Sequence, residues 1–139
     1  MKLSTLMLAD HAEIREGTLG VLSGFVNQLW RDEFPSQLRV YLVAVAEATP
    51  EEIGTGAVSS KFEFWCEGQD GSDPLLKGNG MIETQLDGAR GGYFPMVFDL
   101  SPIEIPEPGE YVIRFTLDGE EAGAYVFYAD AWPATEGEG

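Results

Sequence analysis

Cysteine and histidine are almost absent from this chain of 139 residues, which contains only Cys66 and His11. One cysteine cannot form an internal disulfide, and such a composition is typical of a reducing compartment, so we expect a cytoplasmic protein. A conventional structural zinc site needs three or four ordered ligands, and one Cys with one distant His excludes it. A Cys66–His11 catalytic pair is disfavoured as well, because strand alternation places Cys66 on an apolar face.

Other signatures of catalysis are also missing. No serine lies in a G-x-S-x-G elbow, and the glycine-rich segment 88–92 lacks the Lys-Ser/Thr of a phosphate-binding loop. Two carboxylates can cleave glycosidic bonds, but such a pair is not informative here. With 24 acidic residues, some pair always lies at a plausible separation. We therefore expect no catalytic residues, no metal site and no cofactor, and we do not expect an enzyme.

Long apolar runs are scarce. The longest, residues 40–46, is far shorter than the roughly 20 residues that cross a bilayer as a helix. Residues 1–9 superficially resemble a secretory leader, but acidic residues stand where its cleavage site would be. We expect neither a leader nor a membrane partner.

Basic residues are few: eight Lys and Arg face 24 Asp and Glu, for a net charge of −16. From residue 99 onward, Arg114 is the only base. Such a surface repels phosphate backbones, so we expect no nucleic-acid partner. A highly soluble surface, docking to a basic protein and metal binding by carboxylates all fit this charge, which does not separate them.

Glycine and proline are plentiful, with 17 and 8 residues, and indicate short strands joined by turns. The clearest pattern lies near the end of the chain, where apolar and polar residues alternate. A slip of one residue would bury Arg114 and Asp118, so the register is well defined. Asp118-Gly119 favours a tight hairpin turn before a return strand at 124–129. The side chains predicted to point into the core are Tyr111, Ile113, Phe115 and Leu117.

The whole chain is predicted to be all-β. We expect a single antiparallel β-sandwich of about eight strands, Ig-like or jelly-roll in topology, over residues 1–132, followed by an acidic flexible tail at 133–139. Residues 10–17 are predicted to be a connection and 48–55 a loop. Val21, Phe25 and Leu29 can share one face of a long second strand. The remaining strands are predicted at residues 2–8, 18–30, 38–46, 59–67, 81–86 and 94–100.

Exposed aromatic residues are the candidate binding features, because they commonly anchor protein and sugar recognition. The strand at 59–67 places Phe62, Phe64 and Cys66 on one face and Trp65 on the other. It has no proline and little net charge, which favours it as an unprotected sheet edge. The predicted interaction surface comprises Trp65, Trp30, Phe34 and Tyr93; the alternative, favoured for Trp30, is that such residues cover a second sheet or a strand edge.

Asp70 and Asp73 flank Gly71-Ser72 and supply the oxygen ligands that Ca²⁺ prefers. D-G-S-D is not the EF-hand pattern and continues into Pro74, so an Asp-rich turn is the preferred interpretation. We expect a non-enzymatic protein-interaction or assembly module that acts with a protein partner or as a homo-oligomer. The alternative is a small-ligand or carbohydrate-binding β-sandwich, with Ca²⁺ as an optional aid.

Two motifs resemble an uncharacterised bacterial family of small single-domain β-proteins. One is an LLADxA…GxLxxLxGF opening, and the other is the PGEY…DGEE segment at 108–121. Ser23 stands where glycine is commoner in that opening. The resemblance implies a β fold and supplies no catalytic residues. The residues that match the opening are Leu8, Ala9, Asp10, Ala12, Gly17, Leu19, Leu22, Gly24 and Phe25.

We predict that the fold does not depend on a metal ion. Thermal melts recorded with EDTA and with excess Ca²⁺ should coincide, because the sequence contains no ordered ligand set beyond Asp70 and Asp73. A rise of several degrees in Ca²⁺ would contradict this and favour the ligand-binding alternative, since a ligand selective for the native state stabilises it by mass action.

Overall fold

The computed structural model describes residues 1–54, 58–68, 73–84 and 92–133. This part of the chain is nearly all-β, with eleven strands and one helix, α1 (Pro50–Gly54). The strands are β1 (Lys2–Arg15), β2 (Thr18–Gly24), β3 (Gln28–Arg31), β4 (Ser36–Gln37), β5 (Tyr41–Ala48), β6 (Val58–Glu67), β7 (Leu76–Thr84), β8 (Gly92–Asp99), β9 (Glu104–Ile105), β10 (Gly109–Leu117) and β11 (Glu120–Ala131).

Two of the sheets face each other across one apolar core. The four-stranded sheet has the order β2-β1-β5-β8, and the five-stranded sheet has the order β3-β11-β10-β6-β7. Phe98 of the first sheet packs on Phe62 and Phe64 of the second, with ring centroids 5.7 and 4.6 Å apart. The aromatic layer therefore joins the two sheets.

The expected single antiparallel sandwich of about eight strands is too simple. The described residues form eleven strands in three sheets, because β4 and β9 make a small sheet of their own. One pairing is parallel, between β3 and β11. The extra strands come from segments that are too short to show a sequence period, or that change sheet within an apolar run.

The predicted connection at residues 10–17 is instead part of a β-hairpin. β1 continues to Arg15, which pairs with Thr18 at the start of β2. Glu16 and Gly17 form the two-residue turn, with φ of 52° and 76°. Turns with two positive φ angles usually contain Asn-Gly or Asp-Gly, so Glu-Gly gave little signal in the sequence.

The predicted long strand at 18–30 breaks in the middle. Ser23 and Phe25 have φ of 53° and 57°, which ends β2 and turns the chain towards the second sheet. β3 then pairs with β11. Leu29 is buried, whereas Val21 and Phe25 are exposed, so the predicted common face of these three residues is wrong.

Smaller differences occur elsewhere. β5 begins at Tyr41, and the predicted loop at 48–55 contains α1. Thr49 and Glu52 exchange hydrogen bonds of 3.0 and 3.3 Å at the start of this helix, which forms a capping box. β7 begins at Leu76, earlier than predicted. Most of the predicted acidic tail, residues 134–139, lies outside the described residues.

The C-terminal hairpin and the inward face of β6 are confirmed. Asp118 and Gly119 have φ of 50° and 83°, as a tight turn requires. The Tyr111 hydroxyl donates to the carbonyl of Glu107, which satisfies a polar group in the core. The inward side chains of these strands are all buried: Tyr111, Ile113, Phe115, Leu117, Phe62, Phe64 and Cys66.

Two phenylalanine rings lie directly over glycines of the neighbouring strand. Phe64 pairs with Gly78, and Phe62 pairs with Gly80, across β6 and β7. A Cβ atom added at Gly78 would lie 2.2 Å from the Cζ atom of Phe64, and one added at Gly80 would lie 2.7 Å from that of Phe62. Glycine is therefore the residue that fits beneath each ring.

We predict that Gly78→Ala destabilises the fold by about 1–3 kcal/mol, the usual cost of overpacking a core. Gly20→Ala is the matched control, because its Cβ would come no closer than 3.8 Å to another atom. That control should be neutral or stabilising by up to about 1 kcal/mol. Urea unfolding measures both. Equal stability of the two variants would contradict the close packing described for Phe64.

Candidate functional site

His11 and Cys66 do not form a catalytic pair. Cys66 is fully buried between the sheets. Its burial, and then the neighbouring Glu67 carboxylate, raise the pKa of the thiol to about 12. His11 is exposed on the other sheet and lies edge-on to Tyr41, with ring centroids 5.0 Å apart. The thiol is thus an apolar core group without nucleophilic character at neutral pH.

Trp65 lies in the interior of a sheet. β6 is paired with β10 on one side and β7 on the other, so the prediction that this strand is an unprotected edge is wrong. Trp65 is half-buried on the outer face, and its cross-strand neighbours are Arg114 and Lys77. It lines a shallow cavity of about 390 Å³ with Lys77.

Phe34 and Tyr93 lie in different surroundings. Phe34 is half-buried and packs against the main core. Tyr93 is exposed on β8, an edge strand of the four-stranded sheet, opposite Glu47. The structure therefore does not gather the four predicted interaction residues into one surface.

Trp30 forms an aromatic pair with Trp132, a residue that the sequence had not singled out. Their rings are stacked, with centroids 5.4 Å apart and planes 19° from parallel. The side chains are 38% and 57% exposed. The parallel pairing places Trp30 opposite Asp130, and the Trp132 amide donates to the Arg31 carbonyl at 3.2 Å. We call Trp30 and Trp132 the tryptophan pair.

A cavity of about 410 Å³ lies beside the tryptophan pair. Arg31 forms part of its wall and donates hydrogen bonds to the carbonyls of Trp30, Gln37 and Leu38. These bonds fix the loop that follows β3. Burial, and then the cation of Arg39, lower the pKa of Arg31, while Asp10 opposes the shift. Two guanidinium groups therefore lie near each other at this cavity.

The cavity contains side chains of both charges. Asp32, Glu33 and Glu104 line it together with Arg31 and Arg39. Among the described residues, neither arginine has a carboxylate oxygen within 4.0 Å. The described charged groups around this cavity are consequently not neutralised by direct ion pairs.

A second surface lies on the β1–β2 hairpin. Four apolar side chains in or just after the hairpin are exposed: Ile14 at 44%, Val21 at 39%, Leu22 at 65% and Phe25 at 66%. Val21 and Leu22 are consecutive in β2 and point to opposite faces, so these side chains, which we call the hairpin surface, lie on both sides of the strand edge. β2 is the outermost strand of its sheet. No charged residue occurs in residues 18–30, although the chain carries a net charge of −16. The sequence prediction missed this surface because it placed Val21 and Phe25 with Leu29 on one face of a single long strand.

The described residues contain neither a metal-binding cluster nor a membrane-spanning helix. No group of three or more His, Cys, Asp or Glu side chains able to hold a metal ion occurs among these residues. Asp73 is exposed, and Asp70 lies outside the described residues. None of the helices in the same ranges is both long and apolar enough to cross a membrane.

Comparison with known proteins places the chain in a family. A family model matches residues 4–130, nearly the whole chain, and the model is that of a family of unknown function. The chain belongs to this family, DUF6941. The sequence-based expectation of an uncharacterised family agrees with this result.

No curated protein matches the chain. Among solved structures, one similar chain is the Pseudomonas fluorescens alkylpurine DNA glycosylase AlkC bound to DNA containing an abasic site analog. The identity is 12% and the TM-score is 0.45. The match covers 91% of this chain and 30% of the glycosylase, so this chain spans less than a third of that protein. A likeness at this level carries no argument about fold or function.

We predict that Cys66 resists a chromogenic thiol reagent at pH 8 and reacts once denaturant unfolds the chain. The folded pKa of about 12 exceeds the ordinary 9.0, so the unfolded thiol ionises first as the pH rises. The buried neutral thiol therefore makes its full contribution to the free energy of unfolding below about pH 9. That contribution is lost between about pH 9 and pH 12, at about 1.4 kcal/mol per pH unit.

The control is Cys66→Ala, measured by urea unfolding over the same alkaline range. Burial also raises the pKa values of Tyr111 and Tyr125, but these tyrosines are present in both proteins and their effect cancels. The wild type should lose stability more steeply above about pH 9. Parallel pH profiles, or rapid labelling of the native protein, would contradict the buried thiol.

Proposed function

We propose that this chain is a non-enzymatic assembly module that pairs with a second copy of itself through the edge of β2. The observation that carries the proposal is an edge strand with exposed apolar side chains and no charge in an otherwise strongly acidic protein. We place the module in the bacterial cytoplasm, where a protein with a single cysteine needs no disulfide.

The edge of β2 lacks the usual protection. Edge strands carry unpaired N–H and C=O groups, and proteins guard them with charged side chains, proline or bulges. β2 contains no charged residue and no proline, and its ladder with β1 keeps one register throughout. The outer strands of the two large sheets other than β2 each contain at least one such guard: Arg31 in β3, Lys77 and Glu83 in β7, and Pro95 and Asp99 in β8.

The hairpin surface adds apolar area to this edge. Leu22 and Phe25 are each about two-thirds exposed, at 65% and 66%. Phe25 also has a φ of 57°, a conformation that costs a bulky residue about 1–2 kcal/mol relative to right-handed backbone. A strained phenylalanine directed to solvent is unfavourable in an isolated chain. Burial of the Phe25 ring in an interface would offset both the backbone strain and the exposure of the ring.

The distribution of charge favours a second copy as the partner. Two chains of net charge −16 repel each other, and they approach most easily where neither carries a charge, at residues 18–30. A basic partner would be drawn to carboxylates, which this segment lacks. Antiparallel pairing of β2 with its symmetry mate satisfies both edges with the same surface, as a two-fold interface requires.

The non-enzymatic part of the proposal is supported by the position of the reactive residues. Cys66 is fully buried, with its pKa raised to about 12. His11 is exposed on the opposite sheet. Nucleophilic catalysis needs a base within hydrogen-bond reach of the nucleophile, and these placements do not provide it.

We also propose Ig-like connectivity for the framework. The sheet neighbours β1-β5-β8 and β11-β10-β6-β7 follow the Ig order A-B-E and G-F-C-C′ when the short strands are left out. The hydrogen bond from Tyr111 near the start of β10 to the carbonyl of Glu107 resembles a tyrosine corner. This topology leaves β2 as an addition at one sheet edge, beside β1.

We predict that Leu22→Lys weakens dimerisation by about tenfold or more, because it removes buried apolar area and introduces charge at the shared edge. Analytical ultracentrifugation of the wild type should also show a larger dimer fraction as NaCl rises from about 0.1 to about 1 M. Over this range the Debye length falls from about 10 to about 3 Å and the repulsion between acidic chains is screened.

Met81→Lys is the matched control: it makes the same change of charge at an exposed residue of β7, an edge strand of the other large sheet. It should dimerise as the wild type does. Phe25→Gly should weaken dimerisation without loss of monomer stability, because glycine relieves the positive φ. A wild type that stays monomeric at both salt concentrations, or equal effects of both lysine variants, would refute the interface. Weaker self-association in high salt would also contradict it, because charged groups rather than the uncharged edge of β2 would then hold the two copies together.

A further inference from the structure

We propose that the cavity beside the tryptophan pair binds a neutral saccharide. A sugar ring would lie on the exposed indole surface, and its hydroxyl groups would hydrogen-bond to the charged side chains around the cavity. This site lies at β3 and the end of β11, whereas the proposed dimer edge is β2 of the other large sheet. The inference is therefore independent of the proposed assembly.

The tryptophan pair provides a flat apolar platform. The two rings are stacked on each other with centroids 5.4 Å apart, yet 38% of Trp30 and 57% of Trp132 remain exposed. Stacking within the pair holds each ring in place. An indole combines a large apolar face with one N–H donor, which suits a ligand that has an apolar face and polar edges.

The charges of the cavity select against an ionic ligand. An anion would be attracted by the two arginines but repelled by the carboxylates of Asp32 and Glu33. A cation would be attracted by these carboxylates but repelled by Arg31 and Arg39. A hydroxyl group both donates and accepts hydrogen bonds, whereas guanidinium only donates and carboxylate only accepts. A neutral polyhydroxylated ligand can therefore bond to both kinds of side chain at once.

The walls of the cavity are held in position before any ligand arrives. Arg31 donates to three backbone carbonyls, and its own carbonyl accepts from the amide of Trp132 at 3.2 Å. The pairing of Gln37 with Glu104 joins a second side of the cavity to the small β4–β9 sheet. A volume of about 410 Å³ lies in the usual range for small-ligand sites, roughly 300–1,000 Å³.

The test uses the full chain and a panel of methyl glycosides of glucose, galactose, mannose and N-acetylglucosamine. Glucuronate and glucosamine represent the charged alternatives. Indole N–H signals are followed in ¹H–¹⁵N spectra, because the three tryptophans give separate signals that single Trp→Phe variants assign. The expected result is a saturable shift of the Trp30 and Trp132 signals with at least one neutral glycoside, while Trp65 is unchanged.

Variants then locate the site. Trp132→Ala should weaken binding by about threefold or more. Trp132→Phe keeps an aromatic face and should lose less affinity. Arg39→Gln should weaken binding, because it removes a donor from the cavity wall. Its control is Lys77→Gln, which removes the same charge from β7, at the opposite edge of the five-stranded sheet, and should leave binding unchanged. Trp65→Ala should bind as the wild type does. Melting curves of each variant show whether the fold is intact.

Three results would overturn the proposal. One is the absence of any shift with every neutral glycoside of the panel. Another is preferential binding of glucuronate or glucosamine, which would mean that one charge dominates the cavity. The last is loss of binding in Trp65→Ala with retention in Trp132→Ala, which would assign the sugar to the cavity beside Trp65.

Discussion

The passage of the chain from one sheet to the other between Gly24 and Gln28 determines both candidate surfaces. Three hydrogen bonds hold this segment: the Val26 amide donates to Leu8 at 2.9 Å, Tyr125 donates to the Val26 carbonyl at 2.7 Å, and the Tyr128 amide donates to the Asn27 carbonyl at 2.8 Å. Because the crossing ends β2, the hairpin surface lies at a free edge. Because it begins β3 beside β11, Trp30 reaches Trp132.

The distribution of charge divides the surface into regions that differ in their ability to associate with another chain or to bind a ligand. The net charge of −16 disfavours association in general, yet residues 18–30 carry no charge at all. At the described basic side chains away from the cavity, ion pairs are common, as for Arg114 with Glu67 and Glu121 at 2.8 and 2.7 Å. Arg31 and Arg39 have no such partner among the described residues. Association and ligand binding are therefore proposed where charge is absent or unpaired.

The candidate site was only partly predictable from the sequence. Trp30 was identified among the candidate binding aromatic residues, but its partner Trp132 was not, since nothing local links the two strands of a parallel pairing. Trp65 was expected at a sheet edge and lies in an interior strand. The hairpin surface was missed because apolar residues in an edge strand have the same sequence pattern as residues of a buried strand.

The sequence by itself determined the all-β character, the inward register of β10 and β6 and the turn at Asp118-Gly119. These features depend on alternation and on local backbone preferences, which act over a few residues. Only the tertiary structure decided which strands became edges, where residues 18–30 changed sheet and which aromatic rings met. Those outcomes depend on pairings between distant segments, and local periodicity describes the faces of a strand but not its neighbours.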